Sequence, residues 1–328
     1  MKSIPTRRSF LKKSAAATLA VPLLTSLEEY TLAAQTAGSP PPVSTPSSKA
    51  TLPTGSIGKV KMSRLICGGN LISGYAHSRD LMYVSNLLKA YFTEEKIMET
   101  WALSEAHGIN TMIFNPTDKQ AVEVYRKYRA RGGKIQFLAQ LAPPKNDLAT
   151  CIKESVDAGA VGALLVGNYG DAWTREGDLA RIGEFVSLVK AQGIIAGVAG
   201  HELRTIMQVE KAGLKPDFYM KTLHSTNYWS QRRPDQVKEV IDNYTADNYW
   251  CLDPDATIRF MSELERPWIA YKVLAAGAIH PRQGFKHAFE HGADFCVVGM
   301  FDFQISEDVA LTNEILKATR NRERAWMA

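Results

Sequence analysis

From residue 60 onward the chain alternates eight times between a short apolar or β-branched run and a segment whose apolar residues recur at helical spacing. The runs begin near Arg64, Ile109, Ile135, Val161, Ile194, Asp217, Trp268 and Asp294. The helical segments cover residues 94–107, 119–130, 148–157, 178–192, 203–211, 255–264, 284–291 and 307–320. Joints from helix back to strand repeat one phrase: His107-Gly108-Ile109, Arg131-Gly132-Gly133, Ala158-Gly159-Ala160, Gln192-Gly193-Ile194, Ala212-Gly213-Leu214 and His291-Gly292-Ala293. Each glycine supplies the left-handed stop that a helix needs before the chain turns into a parallel strand. Eight such units in order predict an α/β fold, a single (β/α)8 TIM barrel, rather than an open sheet.

The barrel is expected over residues 57–328, and what precedes it has another character. Thr6-Arg7-Arg8-Ser9-Phe10-Leu11-Lys12 is followed by Lys13 and an apolar stretch, residues 15–24, too short to span a bilayer. This pattern reads as a twin-arginine signal peptide over residues 1–34, with the twin-arginine translocon as a partner in export and a periplasmic or secreted destination. Residues 35–56 are mostly Ser, Thr, Pro, Gly and Ala, which cannot bury enough apolar surface to fold, so a disordered linker is expected there. The basic balance belongs to the leader: removing its five lysines and arginines and its two glutamates takes the net charge from +5 to +2. No basic stripe interleaved with aromatics remains, so nucleic acid is not an expected partner. Nothing in the sequence sets an oligomeric state.

Cys67, Cys151, Cys251 and Cys296 match no metal-binding spacing. Cys67 and Cys296 fall in the first and last barrel strands, which meet on closure; a bridge or two buried thiols both fit there. Export of an already folded barrel from a reducing cytoplasm favours the thiols.

Outward faces of barrel strands pack on helices, and this parity argument sets Phe218 and Met220 outward with Tyr219 and Lys221 inward. It likewise sets Ile269, Tyr271 and Val273 outward with Ala270, Lys272 and Leu274 inward, and Ile135, Phe137 and Ala139 outward with Gln136 and Gln140 inward. Two inward lysines on adjacent strands, with no carboxylate in the strand interiors, imply an anionic ligand, a neutral nucleophilic amine, or carboxylates reaching down from the strand ends. Asn70, Asn115, Gln140, Asn168 and Asp302 stand at the C-terminal strand ends as candidate binders of a hydroxyl-rich substrate, with His224 and His280 beside them and His77 in the first long connection. His201, Glu202 and His224 come from adjacent strands and offer a divalent-metal site as a second reading.

Two strand-to-helix connections are long, residues 73–93 and 225–254. The second carries Tyr228, Trp229, Arg232, Arg233, Tyr244, Tyr249 and Trp250, and reads either as a lid over the mouth or as an outer packing arm or oligomer contact. Ala276-Gly277-Ala278-Ile279 and Val298-Gly299-Met300 have the general look of phosphate-binding loops, but Met300 and Phe301 are bulky where small residues open the backbone. An unphosphorylated sugar or sugar acid fits better, as it also fits an exported protein.

Asp217-Phe218-Tyr219-Met220-Lys221-Thr222-Leu223-His224-Ser225-Thr226 resembles the sixth strand of deoxyribose-phosphate aldolases, in which a Phe-Ile-Lys-Thr-Ser-Thr run carries the Schiff-base lysine. Residues 272–279 resemble that family's seventh strand, and Val298-Gly299 its last. The resemblance implies Lys221 as nucleophile and Lys272 as a second cation. It departs from the family in two places: the glycine follows Lys272 by five positions instead of three, and strand 4 has no proton-shuttling acid. The readings are therefore a periplasmic enzyme acting on a carbohydrate-like carbonyl compound, of lyase (aldolase) or isomerase type, with Lys221, Lys272 and His224 catalytic and no cofactor; a metal-dependent sugar isomerase, epimerase or hydrolase; or a non-catalytic carbohydrate-binding barrel.

Overall fold

The computed structural model describes residues 52–75, 83–229, 231 and 250–328. The leader, most of the expected linker, His77, and Arg232, Arg233, Tyr244 and Tyr249 of the second long connection lie outside the described residues. Strands are β1 (Thr54–Ile57), β2 (Val60–Ser63), β3 (Leu65–Gly68), β4 (Thr111–Phe114), β5 (Gln136–Leu141), β6 (Gly162–Leu165), β7 (Ile195–Gly200), β8 (Phe218–Thr222), β9 (Trp268–Tyr271) and β10 (Phe295–Val298). Helices are α1 (Val84–Tyr91), α2 (Glu94–Ala106), α3 (Lys119–Ala130), α4 (Leu148–Asp157), α5 (Gly167–Arg175), α6 (Leu179–Ala191), α7 (Leu203–Lys211), α8 (Pro254–Glu263), α9 (Pro281–Glu290) and α10 (Ile305–Ala318). Strands β3 to β10 pair in parallel and in order, and β10 returns to β3, closing an eight-stranded (β/α)8 barrel. Four helices start at an aspartate, Asp118, Asp147, Asp178 or Asp253, whose carboxylate accepts the backbone N–H three residues on.

Two apolar layers hold the barrel. Ile66, Ile113, Leu138, Leu164, Ile195, Met220, Ile269 and Phe295, one from each strand, fill the lumen. Cys67, Phe114, Phe137, Leu165, Val198, Tyr219, Ala270 and Cys296 face the helices in the outer layer. Cys67 and Cys296 are separate buried thiols, and burial pushes the Cys67 thiol up to about 12.

The antiparallel pair β1–β2 covers the N-terminal end of the barrel. Its Ile57 and Met62 join the luminal cluster, while Lys61 O accepts from Asn110 Nδ2 at 3.1 Å and Gln136 Nε2 at 2.7 Å. The last residues of the stretch expected as linker, Thr54-Gly55-Ser56, are thus strand: small polar residues pair with β2 while the apolar ends plug the lumen. Access to the lumen is left to the C-terminal mouth.

Parity holds for β5, whose Gln136, Leu138 and Gln140 face the lumen, and is reversed for β8 and β9. Phe218, Met220, Ile269 and Tyr271 are luminal; Tyr219 and Ala270 face the helices, and Lys221 lies on their side of the sheet. The lumen is itself apolar, so apolarity does not distinguish the two faces; polar partners do. Tyr219 Oη donates to Glu210 Oε1 on α7 at 2.6 Å. Lys272 follows β9 with φ 57°, which ends the alternation. The barrel interior therefore does not hold two neighbouring lysines.

Asp308 on α10 is 3 % exposed, and burial, with the neighbouring Glu307 charge, pushes its carboxyl up to about 7. The folded chain thus holds this proton more tightly than the unfolded one, whose carboxyl titrates near 4. Its contribution to stability falls as pH rises from about 4 to 7 and stays low above. Asp308→Asn is expected to raise stability at pH 8 by about 2–4 kcal/mol, each unit of raised pKa being worth about 1.4 kcal/mol. Urea unfolding at pH 8 and pH 5 checks this, with a smaller gain at pH 5.

Candidate active site

The mouth is organised by a helix that follows β6 almost without a loop. Gly167 and Gly170 let α5 press against the sheet: a Cβ on Gly170 would collide with the Ala199 carbonyl oxygen, and one on Gly167 would lie 2.6 Å from both His201 Cε1 and Tyr271 Oη. This approach carries Asp171 beneath the end of β7. Its carboxylate, 0 % exposed, accepts four hydrogen bonds: from His201 Nδ1 at 2.8 Å, His201 N at 3.1 Å, Glu202 N at 3.2 Å and Thr205 Oγ1 at 2.6 Å. Burial alone would raise the Asp171 carboxyl; the donors, led by the His201 ring, outweigh it and hold the group below the ordinary carboxylate range. An ionised carboxylate can only accept, so His201 carries a hydrogen on Nδ1. Nε2 is then the nitrogen able to exchange a proton with another molecule. His201 continues the luminal face of β7, and its ring centroid lies 5.3 Å from that of Tyr271 on β9. A buried carboxylate orienting an imidazole beside a phenol is an arrangement suited to general acid–base chemistry.

Neither a protein-family model nor a curated protein matches the sequence. Among solved structures the chain is similar to two structures named as aldo-keto reductase from Pseudomonas aeruginosa. One has TM-score 0.54 at 15 % identity, over 81 % of this chain and 95 % of that one. The other has TM-score 0.55 at 14 % identity, over 83 % and 99 %. It is also similar to a phospho-2-dehydro-3-deoxyheptonate aldolase from Thermotoga maritima, at TM-score 0.50 and 10 % identity, over 82 % and 74 %. At these identities the likeness establishes the barrel fold.

Lys221 is buried behind the lumen, where Nζ donates to His201 O at 2.6 Å and Thr222 O at 2.9 Å. Burial drives its ammonium pKa down, against weaker opposing charge from Cys251, Asp171 and Glu202. His201, Glu202 and His224 are not brought together as metal ligands. His201 is held by Asp171, Glu202 pairs with Arg175, and His224 Nε2 accepts the Cys251 N–H at 3.0 Å while Nδ1 faces Ser225 O at 3.0 Å. Among the described residues no three His, Cys, Asp or Glu side chains are grouped to hold a metal ion. Asp302 is tied to Lys96 at 3.0 Å and to Tyr91 Oη at 2.5 Å, so it anchors the first long connection, where α1 also lies. Asn115 Oδ1 caps the turn at Thr117 N, and His280 Nδ1 accepts from Arg282 N at the start of α9. Gln140 faces the lumen, Asn70 stands in the turn after β3, and Asn168 is in the first turn of α5. Met300 is buried in the outer core, so its bulk does not occupy the mouth.

Sequence reasoning missed Asp171 and turned Tyr271 the wrong way. The glycines three apart in Gly167-Asn168-Tyr169-Gly170 were the available signal, since a helix carrying them can approach a strand closely.

Proposed function

We propose that the chain is a (β/α)8 enzyme acting on a small, unphosphorylated, carbohydrate-like carbonyl compound by proton transfer, of isomerase or lyase type. The observation that carries this reading is the fully buried Asp171 carboxylate orienting His201 next to Tyr271 in the barrel mouth. His201 Nε2 takes a proton from the carbon or hydroxyl near the substrate carbonyl, and the Tyr271 phenol donates a hydrogen bond to the carbonyl oxygen as negative charge develops there. Return of the proton to a neighbouring carbon gives an isomer or epimer; removal of a hydroxyl proton β to the carbonyl leads to carbon–carbon cleavage. The names of the similar structures, aldo-keto reductase and aldolase, are in keeping with a carbonyl substrate. The arginine pair and apolar run of the leader support export to the periplasm by the twin-arginine route.

A second reading rests on Lys221. A buried amine with lowered pKa, bonded to carbonyl oxygens, suits a Schiff-base nucleophile, provided substrate reaches the outer layer. Incubating the full chain with unphosphorylated aldoses, ketoses and sugar acids, with and without borohydride, separates the readings. Turnover with no borohydride-trapped mass on Lys221 is the expected outcome. An adduct on Lys221 would transfer the chemistry to that residue, and binding of sugars with no turnover would leave a carbohydrate-binding barrel.

A further inference from the structure

His201, Thr222 and Tyr271 form one row across β7, β8 and β9. Thr222 pairs with Tyr271 in the β8–β9 register, and the β7–β8 register that sets Gly200 opposite Lys221 places His201 opposite Thr222. Residues in register on parallel strands face the same side, so all three look into the lumen, as Met220 and Ile269 do one layer below. Thr222 is 0 % exposed, and its Oγ1 has no hydrogen-bond partner among the described residues. Buried hydroxyls are nearly always bonded, and leaving one unmet is unfavourable where valine has the same shape. The orphaned hydroxyls of Thr174 and Thr312 belong to the outer helices α5 and α10; that of Thr222 stands between the two rings proposed to do acid–base work. The Thr222 backbone is held by Lys221 Nζ on its carbonyl oxygen, which fixes where the β-branched side chain projects.

We infer that Thr222 is a substrate-binding, specificity-determining residue whose hydroxyl bonds the oxygen on the carbon next to the substrate carbonyl. This rests on the acid–base reading of the mouth, and it narrows the substrate class to α-hydroxycarbonyl compounds. His201 and Tyr271 address the reacting carbon and its carbonyl oxygen; a third polar group between them matches a second oxygen one bond away. A simple ketone leaves the hydroxyl unmet and is rejected for that reason.

The test compares full-length wild type, Thr222→Val and Thr222→Ser for binding of dihydroxyacetone and acetone by ligand-detected NMR, with thermal unfolding of each unliganded protein. Wild type and Thr222→Ser are expected to prefer dihydroxyacetone by about ten-fold or more. Thr222→Val should lose that preference yet melt at or above the wild-type temperature. A structural hydroxyl would instead give a lower melting temperature with the preference intact, and that result overturns the inference, as does wild type binding neither compound. Loss of turnover in His201→Asn with preference unchanged in Thr222→Val would sink the role of Thr222 alone and leave the acid–base reading standing.

Discussion

Replacing Asp294 with alanine is expected to destabilise the barrel by about 3–5 kcal/mol, the usual cost of removing one partner from a buried ion pair. Asp294, 0 % exposed, sits just before β10 and accepts from Arg324 Nη1 at 2.9 Å, Arg322 Nη2 at 3.2 Å, Met327 N at 2.8 Å and Trp268 N at 3.1 Å. Its carbonyl oxygen accepts from Arg64 Nη1 at 3.0 Å. The Trp326 ring lies against two guanidinium groups, 4.3 Å from Arg64 and 3.5 Å from Arg322. Burial is the largest influence on Arg322 and brings its pKa down to about 10, even beside Asp294. Without the carboxylate, two buried guanidinium groups keep only carbonyl oxygens as hydrogen-bond acceptors, and the last residues lose the group that ties Arg322, Arg324 and Met327 N together. Urea unfolding measures the loss. A double-mutant cycle with Arg324→Met should show coupling of at least about 1 kcal/mol, as residues sharing one buried network do. A single-mutant loss below about 1 kcal/mol would mean that the carbonyl oxygens satisfy the guanidinium groups unaided.

The second large effect is on activity. Asp171→Asn is expected to lower kcat by about 10³–10⁴-fold on any compound the wild type turns over, because an amide no longer enforces the Nδ1–H tautomer of His201. The same substitution has a pH signature. The folded Asp171 carboxyl titrates below its unfolded value of about 3.9, so its stabilisation is complete above that pH and is lost as the pH falls through the lower, folded value. Wild type should therefore lose stability on acidification below about pH 4 more steeply than Asp171→Asn. Unfolding midpoints from pH 2 to pH 7 check the slope. Equal slopes in the two proteins would show that the carboxylate is not held as an anion.

Most of the barrel was legible because its signals are local. Glycine stops and apolar spacing place α3, α4 and α7 at their observed limits, and each strand begins within two residues of its expected start. The β1–β2 pair was not legible: Thr54-Gly55-Ser56 has linker composition, and its order comes from pairing with β2 and from burial of Ile57 and Met62 in the lumen. Helix α5 was hidden by its glycines, which weaken helix propensity while permitting the close approach that positions Asp171. Facing direction was the costliest gap. Both sides of a barrel strand are apolar, so Phe218, Met220 and Tyr271 carry no mark of which way they turn until Tyr219 is seen to need Glu210. His201 was found from its strand-end position, but its partner lies 30 residues earlier, a separation no spacing rule bridges.

The central claim is that the Asp171–His201 pair moves a proton of the substrate. Wild type and His201→Asn, incubated in deuterated water with the sugars and sugar acids of the panel, would be followed by proton NMR for loss of the signal next to the carbonyl. Solvent deuterium is expected to enter that position with wild type and not with His201→Asn. Deuterium entering equally with both proteins, or turnover by wild type in which no proton at or beside the carbonyl exchanges or transfers, would contradict it.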